Sequence, residues 1–210
     1  GRGAYGLGGA RTSSAGEVGT LLSRMGRLLT RGDAAVFREL RDDTTALVPS
    51  LAVAAAAIVL MALGAWLWEL IELRSSPGFQ PGQVFVRSVI VGSVFGFVLW
   101  AAWIWLATFL LAQGFRRRAD FLGALRAAGV AAAPLALGVV MMVDLVRLPL
   151  GIGCIGAAAM LTQVALQEAT EAGPGEVFLA NLTGFGLWCL VLGLFGRGPL
   201  DLAPGIWVFG

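Results

Sequence analysis

The 210-residue chain has no histidine and, because all fifteen of its basic residues are arginine, no lysine. Those two absences exclude an imidazole general base, histidine-ligated haem or zinc, a Schiff-base lysine and the lysine of a phosphate-binding P-loop. Charge of either sign is scarce: 13% of residues are charged and 58% hydrophobic, where soluble domains use roughly one quarter charged residues. Such a composition belongs in lipid. The formal net charge of +2 is too small for nucleic-acid binding, which neutralises several phosphates on one basic face, so no nucleic-acid partner is expected. Cysteine is rare as well. Cys154 and Cys189 lie in apolar stretches without CxxC spacing and read as small core residues rather than a redox pair. No catalytic group, cofactor-binding set or metal-ligand set emerges from what remains.

What is present is apolar length. Five stretches, 49–68, 84–113, 120–143, 149–167 and 177–195, each approach or exceed the roughly 20 residues that cross a hydrocarbon core of about 30 Å. The expected fold is all-α, a polytopic membrane bundle of five helices. The second stretch is longer than crossing requires and implies tilt or protrusion. Pro134, inside the third, frees the Val130 carbonyl and predicts a kink. Pro149 suits the first turn of the fourth.

Ahead of the spans, residues 1–16 are rich in Gly and Ser, lack the apolar core of a secretory signal, and read as a flexible tail. Residues 17–44 read as two amphipathic helices. Val18, Leu21, Leu22, Met25, Leu28 and Leu29 recur at helical spacing in the first; Val36, Phe37 and Leu40 line the second, with Asp33 placed to cap it. Both are expected to lie in the membrane interface with arginines among headgroups, the alternative being two soluble helices packed on a partner. Residues 197–210 form a short tail ending in an apolar tip that includes Trp207.

Five spans place the two ends on opposite sides. The amino-terminal arginines and the run Arg116, Arg117 and Arg118 fall on one side by parity, which the positive-inside rule makes cytoplasmic, with the carboxyl terminus outside. The loop between spans four and five shares that side, yet carries Glu168, Glu171 and Glu176 and no arginine. The triple arginine reads first as a topology signal and second as a site for anionic headgroups.

"GIGCIG" matches G-x-G-x-x-G at Gly151, Gly153 and Gly156, but no strand precedes it and it opens a span, so close helix packing is the expectation. "GSVFG", with Gly92 and Gly96, is a helix contact inside the chain or a dimer face. Asn181 completes a glycosylation sequon inside span five, where it is expected instead to hydrogen-bond across helices, to Gln163 or Thr162. Trp100 and Trp103 share a helix face that reads as a lipid-facing belt or, alternatively, as a contact for a partner or a bound pigment, quinone or lipid. Glu69, Glu72, Asp144, Arg147 and Glu168 fall near span ends, where side chains snorkel; Asp144 and Arg147 have ion-pair spacing.

The stretch "FRELRDDTTALVPS" before span one, the five spans, and the basic loop leading into "GVAAAP" resemble bacterial members of the Yip family of multi-pass membrane proteins. The family's G-Y-x-x-x-P motif is kept at Gly129 and Pro134, with Val130 in the aromatic position; the D-L-Y-G-P motif of the eukaryotic relatives is not matched, so GTPase binding is not carried over. The resemblance, over residues 30–195, implies a non-catalytic helical bundle in a bacterial inner membrane; arginine in place of lysine and abundant Ala and Gly agree with a bacterial source. The expectation is therefore a scaffold or accessory subunit of a larger inner-membrane complex, in contact with lipid and with other membrane subunits. The alternatives are a transporter or lipid-handling channel with a polar path near Gln163 and Asn181, and a membrane enzyme built from Glu, Asp or Cys.

Overall fold

In the computed structural model, which describes residues 16, 19, 20, 23, 24, 26–28, 33–74 and 80–195 with the side chains of Leu73 and Asp144 excepted, five helical stretches are long and apolar enough to cross a membrane. They are Thr44–Glu72, Pro81–Gly114, Phe121–Met142, Leu145–Thr170 and Pro174–Phe195. Each coincides with one expected span. We denote the short helix Ala35–Asp42 α1, Leu47–Leu73 α2, the stretch Pro81–Gly114 α3, Phe121–Ala131 α4, Asp144–Thr170 α5 and Pro174–Phe195 α6. No strand occurs among the described residues. The tails at 1–15 and 196–210, including Trp207, lie outside them, as does most of the turn after α2.

The ends of the elements follow from capping chemistry. Asp120 caps α4, its carboxylate accepting from the amides of Leu122 at 3.2 Å and Gly123 at 2.8 Å. Helix α5 stops where Glu171 takes a left-handed φ of 54°. Helix α6 opens on Pro174, and Glu176 in its first turn accepts from the Gly173 amide at 3.1 Å. Pro149 lies inside α5, not at its first turn, because the helix already begins at Asp144. Lipid-embedded helices tolerate such a proline where neighbours satisfy the freed carbonyl.

Pro134 does more than kink the third span. From Ala133 to Met142 the chain winds as a 3-10 helix, after α4 ends at Ala131. With a rise of about 2.0 Å per residue instead of 1.5 Å, ten such residues reach about 5 Å farther than an α-helix would. This span is the centre of the bundle: 61% of its apolar stretch is buried, against 28 to 39% in the other four. It runs beside α2 with backbones nearly touching. A Cβ on Gly129 would stand 2.5 Å from the Ser50 carbonyl oxygen, and a Cβ on Gly64 would overlap the Gly138 carbonyl. Gly129 and Pro134 thus do separate jobs, one allowing close approach and the other changing the winding.

The outer faces of the spans are apolar. Val94, Val98 and Trp105 on α3, Leu145 and Met160 on α5, and Phe178, Leu182 and Leu190 on α6 are all half or more exposed. Such a surface is stable only against lipid or other apolar chains.

Amphipathic α1 packs differently from the expectation. Val36, Phe37 and Leu40 are fully buried, in contact with α4 and α5 rather than pointing into lipid. Asp33 accepts from the Ala35 amide at 3.1 Å, but it stands one residue ahead of the N-cap position, which is Ala34 and not Asp33 as expected. The physical reason for the docking is that one end of the bundle offers both an apolar seat and carboxylates. Of the apolar positions in the preceding segment, Leu28 alone is described, and it is buried.

Candidate functional site

One end of the molecule gathers the loops that parity assigns to one side, and there the acidic loop meets the arginines. Arg38 of α1 pairs with Glu168 at 2.5 Å, Arg41 with Glu171 at 3.0 Å, and Arg117 with Glu176 through two bonds of 2.8 and 2.9 Å. Glu168, Glu171 and Glu176, which add nothing to a topology count, are the partners of that side's arginines. Arg41 also donates to the carbonyls of Glu168 and Ala169, at 3.3 and 3.4 Å, and so covers the open C-terminal end of α5. Arg126, 8% exposed, donates to the Arg41 carbonyl from within α4.

The same attachments set the charge states at this end. Hydrogen bonds donated to Asp42 first and Glu171 next hold the Arg41 guanidinium more firmly protonated than usual, and those donated to Glu176 do the same for Arg117. The Asp43 carboxyl lies below the usual carboxylate range because the Thr45 hydroxyl and then Arg24 bind its charged form. Arg24 reaches Asp43 at 2.7 Å, tying the preceding segment to the end of α1.

The triple arginine is therefore three different residues. Arg117 is ion-paired, Arg116 has a left-handed φ of 54°, and Arg118 lines a cavity of about 610 Å³ together with Arg41, Asp120, Thr170 and Glu171.

Within the bundle, Trp103 and Asn181 join α3 to α6. The Trp103 indole N–H donates to Asn181 Oδ1 at 3.0 Å, and Asn181 Nδ2 donates to the Ala159 carbonyl of α5 at 3.1 Å. Asn181 bonds across helices, though not to Gln163 or Thr162; Gln163 donates to the Pro174 carbonyl at 3.3 Å. Trp103 also meets Phe185 and Trp188, with ring centroids 5.2 and 5.9 Å apart. Trp100 and Trp103 are 1% and 3% exposed, so the chain itself encloses the face expected to meet lipid or pigment. Trp105, stacked on Phe109 at 5.4 Å, is the outward tryptophan of α3. Three-residue spacing put Trp100 and Trp103 together correctly and could not say which way their shared face turned.

Glu69 is 2% exposed, and its Oε2 has no hydrogen-bond partner. Its position near the end of α2 suggests snorkelling, but the side chain turns inward; Glu72, three residues on, is exposed. The hydroxyls of Ser88 and Ser93 on α3 are buried and unpartnered too. Arg147 sits with its guanidinium 3.8 Å above the Trp68 ring, and the Asp144 side chain lies outside the described residues.

The glycines divide into two groups. Gly92 and Gly96 are buried within the chain, on the face of α3 that also buries Trp100 and Trp103. Gly151 is buried, but a Cβ on Gly153 or Gly156 would meet nothing within 4 Å. The small-residue motif of α5 accordingly packs inward only at its first glycine. The glycine contact that locks α6 is one the motifs missed: a Cβ on Gly184 would stand 2.8 Å from the Trp103 carbonyl oxygen. Gly184 has no glycine four residues away on its helix, so no GxxxG spacing pointed to it.

No group of three or more His, Cys, Asp or Glu side chains that could hold a metal occurs among the described residues. Comparison with protein-family models, with curated proteins and with solved structures finds no match.

Proposed function

We propose that this protein is a non-catalytic scaffold or accessory subunit of a larger complex in a bacterial inner membrane, with its arginine-rich end cytoplasmic. The observation that carries the reading is the outward face of α5. Leu145, Ile152, Gly153, Gly156 and Met160 fall on one side of the helix by their spacing, and α5 is the least buried of the five spans. Between Ile152 and Met160 this face is a shallow depression, since Gly153 and Gly156 have open space where a side chain would project. Helices associate in lipid by letting backbones approach over small residues, because hydrophobicity alone does not favour protein over lipid tails. A transmembrane helix of another subunit fits that depression.

The orientation rests on the positive-inside rule, applied to Arg38, Arg41, Arg116, Arg117 and Arg118 at one end. The Yip-like organisation is part of the proposal, supported by the position of Gly129 and Pro134 in the central span. The channel reading gains nothing from Asn181, whose amide oxygen and nitrogen are both spent on helix contacts.

The test is purification from native membranes in mild detergent, followed by mass measurement of the intact assembly. A co-migrating subunit that is lost in the Gly153→Leu, Gly156→Leu double variant supports the reading. A bare monomer from native membranes refutes it.

A further inference from the structure

We infer that the cavity at the arginine-rich end is a binding site for a phosphate anion, presented by a phospholipid headgroup or free in solution, with Arg118 as its principal cation. The cavity lies where three segments leave the apolar spans together. Arg41 precedes the span beginning at Thr44, Arg118 and Asp120 precede the one beginning at Phe121, and Thr170 ends the span from Leu145. That level is where a bilayer passes from hydrocarbon to headgroup. Leu122, two residues after the cavity-lining Asp120 and at the start of α4, is 47% exposed and offers an apolar surface to an acyl chain.

The four charged residues lining it, Arg41, Arg118, Asp120 and Glu171, are not equally engaged. Asp120 spends both carboxylate oxygens on the amides of Leu122 and Gly123. Glu171 binds Arg41 at 3.0 Å, and Arg41 further engages Asp42 and two carbonyls. Arg118 is left over: it is exposed and forms no ion pair among the described residues. An arginine fork next to a phosphate forms charge-assisted bonds of good geometry, and Arg118 has its donors available for them. Neither neighbour in the run substitutes for it, since Arg117 is held by Glu176 and Arg116 does not line the cavity.

The experiment uses the full chain, delipidated in detergent and titrated with a short-chain phosphatidylglycerol, with the diacylglycerol of the same chain length, and with inorganic phosphate, binding being followed by native mass spectrometry. Expected are retention of the phospholipid but not the diacylglycerol, a fall in affinity of about fivefold or more in Arg118→Gln, and a fall of less than about twofold in Arg116→Gln. Helix content by circular dichroism verifies that both variants fold. Displacement of the phospholipid by inorganic phosphate identifies the phosphate group as the feature bound in either source; failure to displace it, with the Arg118 effect intact, assigns the site to lipid. Equal affinity of wild type and Arg118→Gln, or equal retention of the phospholipid and the diacylglycerol, overturns the inference.

Discussion

The Trp103 indole donates to the side-chain oxygen of Asn181 at 3.0 Å, in the buried seam between α3 and α6. Because Asn181 also donates to Ala159, one amide joins three spans. Removing it strands the buried Trp103 N–H and takes the cross-helix bond from the Ala159 carbonyl, which keeps its own helix partner. Asn181→Leu is expected to destabilise the detergent-solubilised protein by about 1 to 2 kcal/mol, and a thermal midpoint equal to wild type contradicts the assignment. Combining Asn181→Leu with Trp103→Phe should be less than additive, because both remove the same bond.

Gly184 is the other half of that seam. Gly184→Ala places a methyl group against the Trp103 backbone and ring, an overpacking that costs about 1 to 3 kcal/mol. Gly186→Ala, two residues away with nothing within 4 Å, serves as the matched control and should leave stability unchanged. No loss in Gly184→Ala, or the same gain in both variants, would mean that helix propensity, which favours alanine over glycine, and not the Trp103 contact governs the position.

Glu69 has no partner for its buried Oε2. A buried ionisable group without compensation destabilises a fold, so Glu69→Gln is expected to raise the thermal midpoint measured in detergent. A fall in the midpoint would show that the carboxyl makes a contact on which the bundle depends.

The attachment of the Arg24 segment to the end of α1 should respond to acid. The Asp42 and Asp43 carboxyls are depressed in the folded protein from a value of 3.8, by Arg41 in the first case and by Thr45 and then Arg24 in the second. A depressed carboxyl contributes stability that is present above its unfolded pKa and lost as the pH falls through its lower folded value. Spin labels at Thr20, on the Arg24 segment, and Leu122 should therefore give one narrow distance distribution at about pH 6 that broadens only below about pH 4. Broadening that begins near neutral pH would point to other groups.

Much of this architecture was legible in the sequence for a simple reason: a span needs only apolar length, and length is a local property. Asp120, where the third expected span begins, marks an end for the same reason, since capping acts within a turn. What was not legible depended on which neighbour a face meets. The apolar stripe of α1 reads identically whether Val36, Phe37 and Leu40 face lipid or protein, and its docking is decided by Glu168 and Glu171, some 130 residues away along the chain. The direction of the Trp100 and Trp103 face was hidden likewise, because every span here is apolar all round. The ten-residue 3-10 winding after Pro134 goes beyond what proline alone dictates; its close fit to α2 at Gly64 and Gly138 is a tertiary matter.

The outward face of α5 carries the functional reading, and site-specific photo-crosslinking in intact native membranes tests it most directly. With the photoreactive residue at Gly156, one discrete crosslinked protein is expected, absent when the residue is placed at the exposed, apolar Leu190 of α6. Crosslinking to lipid alone at both positions, or to the same mixture of proteins at both, would contradict it.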